Sequence, residues 1–146
     1  TNNQAGTVID GGGGVAVRLV LLSAIDYDLR QLSIVRVENL FLESLPAGRT
    51  VDLLASQIGG VGDFTTIEKA VAAGVVTLRL APANAADLST VNFINFTVSD
   101  VVEITGTAAA NALSGSSVDD EINGNAGGDN IKGNIRLKRG DVIVVP

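Results

Sequence analysis

The chain has 146 residues, a length for one domain with at most a small appendage. Hydrophobic residues make up 46% but aromatics only 3%, so the core must be built from Val, Ile, Leu and Ala. With no Cys or His, disulfides, a conventional zinc site and most hydrolytic triads are excluded, and a net charge of -6 disfavours nucleic acid and anionic lipid while permitting cation binding.

Residues 1–14 read as a flexible N-terminal arm: a polar start, a short strand at 7–9, then a glycine hinge from Gly11 to Gly14. The next segment is strand-like, because Val15, Val17, Leu19 and Leu21 fall on one face by alternation. Asp26 and Asp28 mark a polar turn. Short apolar segments follow at 33–38, 40–43, 50–54, 65–68, 75–80, 91–97 and 101–105, separated by Gly, Pro or Asn. Residues 67–73 are compatible with a helical turn ended by Gly74. Many short strands about a dozen residues apart suggest a sandwich, a barrel or a solenoid.

The informative region begins at Gly106. Gly106, Gly115, Gly124 and Gly133 recur with a strict period of nine. Asn111, Asp120 and Asp129 hold the sixth place of successive units, and Leu113, Ile122 and Ile131 the eighth. A unit of nine supplies a turn and a short strand, and two units complete one coil of a parallel roll. The apolar eighth residue then faces inward, and glycines allow the turn. A carboxylate at place six completes a cage of oxygens, which suits calcium.

This block resembles the RTX, or hemolysin-type calcium-binding, nonapeptide repeat, in which G-G-x-G-x-D precedes an apolar residue. The unit Gly124-Asn125-Ala126-Gly127-Gly128-Asp129 departs from that pattern only at Asn125. The unit beginning at Gly115 has Ser116 and Val118 where glycines belong, and the one beginning at Gly106 has Asn111 for Asp. The unit after Gly133 is broken by Arg136 and Lys138. The resemblance implies one or two calcium ions, with Asn111, Gly124, Gly127, Asp129 and Asp120 as metal-site residues. Turns on one side of a roll lie two repeat units apart, which sets Asn111 beside Asp129. Asp120 is then flanked by Val102 and Lys138, neither a ligand. Residues 37–42, 51–60 and 64–67 resemble solenoid segments upstream of such repeats in bacterial surface proteins.

Other signals are weaker than their plain alternatives. Gly11-x-Gly13-x-x-Ala16 matches a dinucleotide fingerprint but precedes a strand rather than a helix. Arg139-Gly140-Asp141 is an adhesion tripeptide and also ordinary turn chemistry. Asn95-Phe96-Thr97 fits a glycosylation sequon but sits in a strand-like run. The pairs Asp26 with Asp28, and Asp119 with Asp120, lack a cleft or a sugar platform for catalysis.

The expected fold is therefore all-β: a right-handed parallel β-solenoid or β-roll. Residues 1–14 form the arm, 15–105 the body, 106–133 the RTX-like repeats and 134–146 a C-terminal strand. The expected function is that of a secreted bacterial structural protein, a non-enzymatic extracellular subunit of a surface layer, filament or matrix. The alternatives are a calcium-stabilised adhesion module of a larger RTX protein and a virion decoration protein. The acidic residue and apolar run from Asp141 to Val145 resemble a type I secretion signal, which would place the chain outside the cell or on its surface. Self-association into an oligomer or polymer is expected through uncapped ends, with no nucleic-acid partner and no membrane insertion.

Overall fold

The computed structural model describes residues 7–14, 17–22, 25–59, 64–71, 73–133 and 142–144. Its regular elements are short strands and one 3-10 turn, and the strand pairings are parallel. The chain winds as a β-solenoid. Among the described residues, no helix is long and apolar enough to cross a membrane.

The early coils have three faces. One face carries β2 (Arg18–Leu21), β5 (Asn39–Leu42), β7 (Thr66–Lys69) and β10 (Asn92–Ile94). A second carries β3 (Tyr27–Asp28), β6 (Arg49–Leu53), β8 (Val76–Leu80), β11 (Val101–Thr105), β13 (Asp120–Asn123) and β15 (Val142–Val144). The third is interrupted. It begins with β1 (Val8–Asp10) on β4 (Ser33–Val35) and resumes with β9 (Ala85–Asp87), β12 (Ala112–Ser114) and β14 (Asn130–Lys132). Between these two parts the 3-10 turn Ala55–Gln57 packs on β9.

The solenoid narrows from its middle coils into the repeat. The register sets Leu78 beside Val51, Val102 beside Leu78, and Asp120 beside Val102, so each of these coils uses less chain than the one before. The last of them is as long as two repeat units. Among the described residues the first face ends at β10, because the repeat units leave room for just two strands per coil. The three-sided body thus becomes a two-sided roll at Gly106, where the repeat begins.

Alternation explains the core. In β8, Val76, Leu78 and Leu80 are buried while Arg79 is exposed. Parallel in-register pairing stacks such residues into columns: Leu53, Leu80, Ile104 and Ile122 form one, and Leu40 and Ile67 another. Stacked aliphatic rows of this kind bury both faces of each contact and suit a chain with few aromatics. One column carries a charge. Lys69 follows Leu21 and Leu42 on the inward side of the first face and is 3% exposed. Its ammonium is held by fully buried Asp100, at 2.6 and 2.8 Å. Burial alone would push the Asp100 carboxyl up. Lys69, with Thr97 and the Val76 N–H, outweighs that and holds it below the usual carboxylate range.

Three expectations are corrected. The segment read as a hinged arm is docked on its own chain: Ile9 pairs beside Ile34, and the Gly11 N–H donates to the Val35 carbonyl at 2.9 Å. Gly11 is required there, since a side chain would run into the Arg36 carbonyl. Residues 66–69, where a helical turn overlaps the sequence pattern, form strand β7, because stacking on β5 fixes them extended. Tyr27 and Asp28 enter strand β3 rather than a turn, because they pair with β6. Strand β2 follows the glycine run, where a nucleotide-binding unit would need a helix. Arg139-Gly140-Asp141, Lys138 and the broken unit beyond Gly133 lie outside the described residues.

Candidate functional site

The three nonapeptide turns share one construction. The sixth residue of each folds back over the first, which must be glycine. A methyl on Gly115 would stand 2.5 Å from Asp120 Oδ2, and one on Gly124 2.5 Å from Asp129 Oδ2. A methyl on Gly106 would meet Asn111 Oδ1 in the same way. The glycine period is therefore the footprint of the residue at place six. The eighth residues Leu113 and Ile122 are buried, and Ile131 packs against the core.

In the first two turns the sixth side chain closes the turn internally. Asn111 Oδ1 accepts the Thr107 N–H at 2.5 Å. Asp120 Oδ2 accepts the Ser116 N–H at 2.8 Å and its Oδ1 accepts the Ser116 hydroxyl at 2.7 Å. The Thr107 and Ser116 hydroxyls in turn accept the N–H groups of Ala109 and Val118. Thr107 and Ser116, standing where the repeat pattern has glycine, thus donate to the side-chain oxygens that a cation would otherwise engage.

The third turn differs. Asn125 adopts a left-handed φ of 59° and Gly127 a φ of 128°. Asn is among the few side chains that tolerate this conformation. The Asn125 N–H consequently turns to Asn123 Oδ1, at 3.0 Å, instead of to Asp129. Gly127 lies against the neighbouring turn, where a methyl would stand 2.5 Å from the Ala109 carbonyl. Asp129 Oδ1 accepts the Asn111 N–H at 3.1 Å, and Asp129 Oδ2 is buried with no hydrogen-bond partner.

The structure thus brings together Asn111, Gly124, Gly127 and Asp129, and sets Asp120 apart. Asn111 and Asp129 belong to one column through the register of β12 with β14. Asp120 sits on the second face beside Val102, 4% exposed and satisfied by Ser116. Asn84 extends the column downward: its carbonyl accepts the Ala112 N–H, and its Oδ1 accepts the Thr107 hydroxyl at 2.5 Å. Sequence reasoning misses Asn84 because it lies before the repeat and out of phase with it. Only the register of β9 with β12 reveals it.

Calcium fits this donor set at one point. An orphaned, buried carboxylate oxygen is costly unless a cation or a donor meets it. Among the described residues no group of three or more acidic side chains forms. An ion at Asp129 would therefore draw its remaining oxygens from carbonyl and amide groups, as hard cations accept. At Asp120 the donors are already within the protein, and calcium does not fit.

Searches against family models, curated proteins and solved structures return no match to this chain.

Proposed function

We propose that this chain is a secreted, non-catalytic structural subunit of the RTX-repeat kind, a β-solenoid whose last coils are clamped by one calcium ion and which associates end to end. The observation that carries this reading is the buried, unpartnered Asp129 Oδ2 in the turn stacked on Asn111. A single bound ion there would tie two coils together where the roll is narrowest. Asp129 would supply the charged oxygen and neighbouring carbonyl groups the neutral ones, while Asn111, whose Oδ1 already accepts the Thr107 N–H, would position the carboxylate through its own N–H. Gly124 and Gly127 would give the close backbone approach.

The structural role is supported by the edges of the solenoid. Among the described residues, β2 and β3 at the first end, and β10, β15 and β14 where the three faces finish, each have one neighbour in their sheets. Such edges suit association of copies in series. Calorimetric titration with calcium, combined with electron microscopy in calcium and in chelator, tests the proposal. One ion per chain and ordered polymers or oligomers are expected. An absence of calcium heat, or a chain that stays monomeric in calcium at high concentration, would overturn the corresponding half.

A further inference from the structure

The third face carries an open trough of about 560 Å³ beside the 3-10 turn. Ala55 and Ser56 of that turn form one wall, because the turn packs on β9 where a regular coil would place a strand. The floor is the outward side of β9, β12 and β14. Alternation turns Ala86, Leu113 and Ile131 toward the core and leaves two outward rows. In one row Ala85 lies beside Ala112. In the other, Asp87, Ser114 and Lys132 stand in register, so a carboxylate and an ammonium flank a hydroxyl.

Asp87 and Lys132 are exposed and open onto the trough. Asp87 Oδ1 accepts the Ser89 N–H at 3.0 Å and the Ser89 hydroxyl at 2.6 Å. Those bonds, with Lys132 nearby, hold the carboxyl below the usual carboxylate range, so it is charged at neutral pH. Among the described residues, Asp87 Oδ2 makes no hydrogen bond, and neither do Lys132 Nζ and the Ser56 and Ser114 hydroxyls in the same lining. The two charges influence each other through space but form no ion pair, since Ser114 keeps their strands apart. Converging polar groups with no partner, set over a small apolar floor, are the make-up of a small-ligand site.

The row selects its ligand by charge. A lone anion would meet Asp87 and a lone cation, calcium included, would meet Lys132, so each end rejects what the other attracts. No aromatic ring lines the trough to stack a sugar. A molecule with an ammonium at one end and a carboxylate at the other satisfies both ends. Asp87 and Lys132 are two strand spacings apart, roughly 9.6 Å between backbones. Charge-assisted hydrogen bonds of about 2.8 Å at each end leave roughly 4 Å for the ligand's own charge separation. That is the span of an amino acid or a dipeptide rather than of a longer peptide.

We infer that this trough binds a small zwitterion, a free amino acid or a dipeptide, with its ammonium on Asp87 and its carboxylate on Lys132 and the Ser114 hydroxyl. The site lies at the Ser114 end of β12, away from the turns of Asn111 and Asp129, and does not depend on calcium there.

Amide-resolved NMR titration of the full chain tests this, with glycine, glycylglycine, ethylammonium and acetate as probes. Saturable shifts at residues 85–87, 112–114 and 132 are expected with a zwitterion and not with either singly charged probe. Tighter binding of glycine would point to a free amino acid, and tighter binding of glycylglycine to a dipeptide. Asp87→Asn and Lys132→Gln should each weaken binding at least tenfold. Ala112→Leu changes an exposed residue of the floor and should block the trough in a fold left intact, as circular dichroism would verify. Equal shifts with ethylammonium or acetate, no saturable shift with either zwitterion, or unchanged affinity in both charge variants would overturn the inference.

Discussion

The backbone N–H of Asn111 donates to Asp129 Oδ1 at 3.1 Å, joining two stacked turns, while Asp129 Oδ2 is left buried and without a partner. The two oxygens of one carboxylate thus have different fates. One serves the stack, and the other has no donor.

This asymmetry predicts opposite behaviour for two aspartates. Asp129→Ala should abolish calcium binding. In chelator it should cost little stability, or gain some, because it removes an uncompensated oxygen. Asp120→Ala should leave calcium binding intact but cost about 1–3 kcal/mol, because the Ser116 N–H and hydroxyl lose their acceptors. Calorimetry and urea denaturation with and without calcium check both. Equal calcium losses in the two variants would contradict the stacking argument.

Chelation should loosen residues 106–133 ahead of residues 34–97, since the proposed ion joins only the narrow coils. Hydrogen exchange in calcium and in chelator measures this directly. Uniform changes along the chain would place the effect of calcium elsewhere.

The place-one glycine and the place-six side chain should be energetically coupled. Gly115→Ala brings a methyl to within 2.5 Å of Asp120 Oδ2 and should destabilise by about 1–3 kcal/mol. In an Asp120→Ala background the clash with the carboxylate is gone, so the second substitution should cost much less. A double-mutant cycle that came out additive would mean that the glycine serves another purpose.

The buried Lys69–Asp100 pair sets an acid limit. Asp100 is held below the ordinary carboxylate value in the folded chain. Its contribution is therefore fully present above the unfolded value and is lost as pH falls through the lower, folded one. Lys69→Met places an apolar side chain after Leu21 and Leu42 in the column. It should raise the Asp100 pKa and shift acid unfolding to higher pH. Asp100→Ala should be far worse at neutral pH, by about 3–5 kcal/mol, since it strands a buried ammonium. Acid titrations followed by circular dichroism distinguish the two.

The repeat is legible in the sequence because a fixed period forces a fixed offset, and the register of Asn111 on Asp129 follows from it. Alternation in residues such as Val76, Leu78 and Leu80 likewise reveals strands and their inward side. The body hides more, because its coils vary in length. Tyr27 and Asp28 are extended through pairing with Val51 and Asp52, and Ala85–Asp87 through pairing with β12, though neither segment has a run of strand-forming side chains to announce it. A lysine such as Lys69 ordinarily signals a solvated position, and only the column above Leu42 places it inside. The last coil also breaks the rule. Val142 lies beside Glu121, further along the chain than two repeat units reach, so the offset that pairs Asp120 with Lys138 does not apply there.

End-to-end association is the most consequential expectation, and the docked N-terminal strand changes how it should be tested. Since β1 is already paired with β4, deleting residues 1–14 would uncover Ile34 and destabilise the coil rather than remove a free linker. The first coil itself offers the better target. Leu22 is 60% exposed and Ile25 43% exposed, and they flank the edge strands β2 and β3 in sequence. An apolar rim around an open edge is a template for a further parallel strand, and a partner that presents its opposite end makes a head-to-tail contact. Such a contact does not close on itself and so yields chains rather than dimers. Leu22→Asp combined with Ile25→Lys should therefore reduce assembly sharply in light scattering while leaving the melting temperature of the monomer nearly unchanged, because neither side chain is buried in the single chain. The same double change at exposed Val71 and Val75, which adjoin the interior strands β7 and β8, should have no such effect. Assembly that survives the first pair, or that is lost equally with the second, would show that the ends of the solenoid are not where copies meet.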